Sequence, residues 1–201
     1  MSGKRTVHPI ERESYAILRR RIDTSHLPAL TRAVVERVVH ASADPAYVDD
    51  LVCDEAALAA GLRALRAGAA LVVDAQMVSA GITSRESLCL VRDSRAIDLA
   101  EATGLTRSAA AVRIAAELVG PGAVWVVGNA PSALFELVDL VDVVRPALVI
   151  GLPVGFVGAV QSKQALRDNG IASLTNRSEK GGTAVAAAAV NALLYTEEGF
   201  A

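Results

Sequence analysis

Aromatic side chains are scarce in this chain. Three Phe, three Tyr and one Trp make up 3% of 201 residues. A core built on stacked rings is therefore excluded. Hydrophobic residues still reach 52%, mostly Ala and Val. Small and branched aliphatics of this kind suit a sheet covered closely by helices. A surplus of one charge is missing too, with 20 Lys+Arg against 22 Asp+Glu and a net charge of -2. That balance offers no basic field for nucleic acid, so none is expected as a partner. An anionic ligand would have to be met by local Arg, Lys and helix N-termini.

Cysteine is limited to Cys53 and Cys89, with no CxxC pair, and only three His are present. A disulfide framework and a protein metal site are not expected, and a reduced, cytoplasmic compartment is the default. Both cysteines read as small hydrophobes. No long apolar run exists. The longest, Ala147 to Val160, is broken by Gly151, Pro153, Gly155 and Gly158. It falls short of the roughly 20 residues that span a bilayer, so no membrane segment is expected. The opening MSGKRTVHPIERES lacks the apolar stretch of a secretory signal.

Several chemical signatures are absent as well. There is no GxxxxGK[ST], HExxH or GxSxG, and Gly151–Gly158 reads GxxxGxxG in place of GxGxxG. No acidic residue follows at the distance of about 20 that would hold a ribose. A nucleotide-dependent oxidoreductase is disfavoured on these grounds.

The periodic pattern gives the architecture. Pro9 suits a first helical position, and Ile10, Ile17 and Leu18 recur at helical spacing. Ser14 falls in that stripe, where a hydroxyl needs a partner or a ligand. A second helix from Pro28 carries Leu30, Val34 and Val38 and ends before Pro45, and a third runs from Asp54 to Ala67. Strands are then expected at Ala70–Asp74, Leu88–Val91, Ala123–Gly128, Ala147–Leu152 and Ile171–Leu174. Helices are expected at Thr106–Leu118, Pro131–Val144, Val157–Asp168 and Gly182–Tyr195. Such alternation implies a mostly parallel sheet with right-handed crossovers. Residues 1–201 read as a single domain.

Ligands of an open parallel sheet bind beyond the C-terminal strand ends. Those ends here run into Met77, Gly128-Asn129, Gly151–Gly158 and Lys180-Gly181-Gly182. Glycine at such junctions lets backbone approach a ligand, or simply allows a tight turn. Thr106 is a good N-cap, and Arg107 and Ser108 add donors in the same first turn. His40 is the best acid–base candidate, with Arg37 and Glu36 three and four residues before it. Spacing alone leaves open a second reading, a helix-end His stabilised by the dipole.

GNAPSALFEL, LPVGFVGAVQSK, RSEKGGTAVAAAAVNAL, DAQMVSAGI and ERVVHA, taken in order and spacing, resemble precorrin-8X methylmutase. The resemblance runs from Ile10 to Leu194. It implies a flavodoxin-like three-layer α/β/α fold with a five-stranded sheet and a helical N-terminal segment. It also implies a homodimer with no organic cofactor and a tetrapyrrole substrate. The activity implied is a 1,5-sigmatropic methyl shift on precorrin-8 that yields hydrogenobyrinate or its cobalt counterpart in cobalamin biosynthesis. The family's catalytic histidine falls on His40, and its substrate-contacting serine and arginine fall on Ser14 and Arg37. Thr106, Arg107 and Ser108 match a family pattern. Met77, Pro153, Val154 and Phe156 would then line a groove for the ring, Arg37, Arg107, Lys180 and exposed helix N-termini would meet its carboxylates, and Asn129, Gly181 and Gly182 are further expected substrate contacts. A corrinoid carrier without catalysis is the rival; it would keep the groove and have no need of His40.

Overall fold

The computed structural model describes residues 8–196. The opening segment considered above for a secretory signal therefore lies partly outside the described residues. Helix α1 spans Pro9–Arg21, with the His8 ring accepting from the Ile10 N–H at 3.2 Å as its N-cap. Helix α2 spans Ala29–Ser42 and begins after Pro28, which has no side-chain acceptor. The cap comes from another element. Glu55 accepts from the N–H groups of Leu30 and Thr31, each at 2.9 Å.

The rest of the chain builds the sheet and its cover. The order is α3 Tyr47–Asp50, β1 Leu51–Cys53, α4 Glu55–Arg66, β2 Leu71–Val73, α5 Gln76–Gly81, α6 Ser94–Thr103 and α7 Arg107–Val119. Then come β3 Val124–Val127, α8 Pro131–Asp139, α9 Val141–Val144, β4 Leu148–Gly151, α10 Ala159–Asp168, β5 Ser173–Asn176 and α11 Thr183–Tyr195. Strands β2, β3, β4 and β5 lie side by side, parallel and in chain order. Strand β1 joins the β5 edge antiparallel, with Leu51 opposite Asn176. Crossovers that all step in one direction with one hand must stay on one face. Accordingly Val72, Trp125, Val127 and Val149 pack with Val112, Leu134, Leu137 and Leu166 in one layer. The alternate residues Leu71, Val73, Val124, Val126, Leu148 and Ile150 meet α2, α4 and α11 in the other. The expected three-layer, mostly parallel α/β sandwich is present.

Helix α11 is apolar nearly all round and is buried from Val185 to Leu193, so its small residues serve the interior. A Cβ on Gly128 would come within 2.7 Å of Ala186, and one on Gly81 within 2.7 Å of Ala187. Ala on the helix and Gly beneath it thus set a close approach.

Several expected elements differ. Leu88–Val91 forms only a bridge from Leu88 to Val72, and the fifth strand is β1. The helices α5 and α6 lie outside the helix ranges expected above. Pro131–Val144 breaks at Leu140 into two helices, and α10 starts after Gly158, whose φ of 79° ends the loop before it. Ile10 is 70% exposed and Ile17 36%, so the apolar contact of α1 rests on Leu18.

Candidate active site

Helices α1 and α2 meet at a polar corner. The His40 Nδ1 lies 2.9 Å from the Ser14 Oγ, within hydrogen-bond distance. The Tyr15 ring stacks on the imidazole, with centroids 4.8 Å apart and planes 13° from parallel. Ser14 and Tyr15 are successive residues of one helix, so together they fix both an edge and a face of His40. The stripe that carries Ser14 is therefore explained by His40 and not by the apolar core.

The charged neighbours are each engaged. Arg37 donates to Glu11 at 2.9 Å, and its guanidinium lies 5.2 Å from the Tyr195 ring centroid. Glu36, four residues before His40, faces elsewhere: Arg19 binds it with both ends of its guanidinium, and Thr24 donates to it at 2.7 Å. Burial raises the Tyr15 pKa, Arg37 opposes that rise, and Glu11 and Glu36 add to it. Burial works against the charge on Arg37, but Tyr15 and Glu11 outweigh it and raise its pKa. A cavity of about 120 Å³ opens at this corner, lined among others by Ser14, Ile17, Arg21, Val39, His40 and Pro45. Ser14, Arg21 and His40 give it polar lining, and Ile17, Leu18, Val39 and Pro45 give it apolar lining.

The C-terminal edge of the sheet holds the other candidates. Met77 stands 64% exposed at the start of α5. Thr106 caps α7 by accepting from the Ala109 N–H, and its Oγ lies 2.7 Å from the Ser132 Oγ at the start of α8. Arg107 is exposed and Ser108 half-buried in the same turn. After β4, Pro153 is buried, Val154 is 46% exposed and Phe156 is 95% exposed. After β5, Lys180 donates to Asp44 at 2.6 Å, just beyond the helix that carries His40. So the structure brings Ser14, Tyr15 and His40 into contact, and it joins Lys180 to the end of the same helix. Thr106 and Ser132 form a second cluster, and Met77, Asn129, Val154 and Phe156 are separate features of the edge.

One junction is not open to an anion as the sequence suggested. Asp74, at the end of β2, accepts from the N–H groups of Gly128, Asn129 and Ala130 at 2.9, 2.8 and 2.8 Å. The protein's own carboxylate fills that cradle. Burial raises the Asp74 pKa against the pull of those three N–H donors.

A family model described as precorrin-8X methylmutase matches residues 9–196. The chain belongs to the precorrin-8X methylmutase family. Relatives agree along the length. The chain is 42% identical over 191 residues to the cobalt-precorrin-8 methylmutase of Methanothermobacter thermautotrophicus, covering 93% of this chain and 92% of that one. It is 41% identical over 199 residues to the precorrin-8X methylmutase of Pseudomonas aeruginosa, covering 94% and 95%. The solved precorrin-8X methylmutase of Thermus thermophilus superposes with a TM-score of 0.87 at 35% identity, over 94% of this chain and 95% of that one.

Four residues of this methylmutase-family edge and corner escaped the sequence reading. Tyr15 follows Ser14, but its contact depends on how α1 crosses α2. Asp74 stands as a lone acid after an apolar strand, a signal that was there to be read. Asp50 sits in a stretch that looks like solvated surface, and Lys163 lies in the LPVGFVGAVQSK segment with no role of its own assigned. Lys163 is in fact fully buried.

Proposed function

We propose that this chain carries out the intramolecular methyl migration of precorrin-8 to hydrogenobyrinate, or the cobalt-containing equivalent, with His40 as the catalytic residue. Among the described residues, the observation that carries this reading is His40 held at 2.9 Å by Ser14 and stacked on Tyr15 beside a cavity, in a chain of the methylmutase family. With Nδ1 engaged by Ser14, proton exchange with substrate falls to Nε2. Protonation of the conjugated macrocycle lowers the barrier to the methyl shift, and the same nitrogen takes the proton back afterwards. Atoms balance within one molecule, so the chemistry consumes no donor and no cofactor.

The substrate is a flat apolar ring fringed by carboxylates. Met77, Val154 and Phe156 offer apolar surface to the ring, and Pro153, buried in the same loop, shapes the backbone that carries the last two. A Phe 95% in solvent is the kind of side chain that a ligand or partner covers. Arg37, Arg107 and Lys180 meet carboxylates, with Thr106, Ser108 and Asn129 as polar contacts, and the Gly181-Gly182 turn shapes the edge beside Lys180. A single domain of residues 1–201 acting as a cytoplasmic homodimer belongs to the same proposal. The supports are the family match across residues 9–196 and two cysteines that remain unpaired.

The test is incubation with metal-free and with cobalt-bearing precorrin-8, followed by absorption spectra. Conversion of either to the corrin product supports the reading, and the faster substrate is the natural one. Stable binding of both without spectral change makes the protein a carrier and removes the catalytic claim.

A further inference from the structure

We infer that Lys163 is a positioning residue for the substrate-binding edge: its ammonium ties Asn176, Ser178 and Lys180 into one fixed turn and so sets the side chain of Lys180. The inference rests on the proposed reading of that edge as the place where substrate carboxylates are held.

Lys163 lies on α10 and is completely buried. Its Nζ donates to the Asn176 Oδ1 at 2.8 Å, to the Ser178 carbonyl at 2.6 Å and to the Lys180 carbonyl at 2.6 Å. An ammonium has three donors. All three are used inside the protein, so Lys163 acts through the turn and not on substrate. Its acceptors are neutral, and the nearest compensating acid is reached through Asn176, whose Nδ2 donates to Asp50 at 2.8 Å. Asp50 also accepts from the N–H groups of Arg177 and Ser178 at 3.0 and 2.8 Å, and from the Ser178 Oγ at 2.7 Å. A cation and an anion thus grip the same turn from opposite sides.

The grip passes to neighbouring elements. Gly182 donates to the Leu152 carbonyl at 2.8 Å, and Gly155 donates to the Glu179 carbonyl at 3.1 Å. A Cβ on Gly181 would stand 2.3 Å from the Leu152 oxygen, so the loops after β4 and β5 lie in direct contact. Lys180 then reaches Asp44 at 2.6 Å and the Tyr47 ring, near the end of α2. A side chain needed only to fill space would be apolar at this depth, since burying a charge is costly. The charge is retained because three carbonyl-type oxygens must converge.

Burial pushes the Lys163 pKa down to about 8; Asp50 from α3 and Glu179 from the turn pull it up, and Arg167 from α10 pushes it further down. Once the proton leaves, two donors face three oxygens and the turn loosens.

Steady-state kinetics on the full chain with precorrin-8, from about pH 7 to about 9.5, test this around the lysine's lowered value. The expected result is a KM that rises about ten-fold through pH 8 with little change in kcat, the loss of one charged hydrogen bond. Melting temperature should hold through pH 8 to 9, because a depressed lysine pKa favours the folded state as pH rises. Lys163→Met should show a raised KM at pH 7 and no further rise. A flat wild-type KM, or a rise in KM matched by falls in kcat and melting temperature, overturns the positioning role. The wild-type profile decides even if Lys163→Met fails to fold. Lys180→Gln separates the two layers of the argument. An unchanged KM there overturns the edge reading itself, while a raised KM with a flat wild-type profile overturns only the role of Lys163.

Discussion

In the proposed chemistry, the bond between Ser14 and His40 selects which ring nitrogen meets substrate. Replacing Ser14 with Ala frees the ring to rotate, while Tyr15 still stacks on its face. The expected result is a kcat about ten-fold lower at nearly unchanged KM, the effect of one lost orienting hydrogen bond. Steady-state kinetics on Ser14→Ala measure it. The sequence placed Ser14, Arg37 and His40 on faces that helical spacing makes legible. It misassigned Glu36, which spacing put near His40 and which the structure gives to Arg19 and Thr24. A fixed i to i+4 spacing says who is near on one helix and nothing about the competitor on the next.

Among elements, helices with strong apolar stripes were legible, and so were strands that run continuously apolar. Strand β1 was not, because three residues between Asp50 and Asp54 carry no period. Only its pairing with β5 makes it a strand. Lys163 was hidden for the opposite reason. In a helix whose exposed face carries Gln161 and Gln164, a lysine reads as surface, and only the turn after β5 buries it. The junction of β3 with α8 gives the element-scale prediction. Asp74→Ala would leave the N–H groups of Gly128, Asn129 and Ala130 without their acceptor. Each buried orphan costs roughly 1–3 kcal/mol, less where water enters. Urea unfolding should show a loss of at least about 2 kcal/mol on that basis, and a loss near zero would mean that the junction is open to solvent.

The whole molecule responds to alkali through groups that burial keeps protonated. Burial, with Glu55 adding, pushes the Cys53 thiol from 9.0 up to about 12. Burial likewise pushes the Tyr47 hydroxyl from 10.0 up to about 12, helped by Asp50 and Asp44. The unfolded chain releases these protons first, so the stability they give is full below pH 9 and is lost as pH climbs toward 12. Lys163 acts the other way between about 8 and 10.5 and delays the onset. Melting temperature should therefore hold to about pH 9 and then fall, and Cys53→Ala should flatten the first part of that fall. The parallel sheet was legible from alternation alone, because a helix between each pair of parallel strands leaves few topologies, while the three layers were implied by the family resemblance. The site was legible only in pieces, since α1, α2 and the turn after β5 meet through tertiary contacts.

The central claim is that His40 moves the proton that permits the methyl shift. Its most direct test is single-turnover conversion of precorrin-8 by His40→Ala, run beside a measurement of product binding. The account predicts a rate lower by roughly 10²–10⁴-fold, the usual contribution of a positioned acid–base group, with tight binding retained. Near-normal turnover by His40→Ala would contradict it and leave a shaped groove as the catalyst.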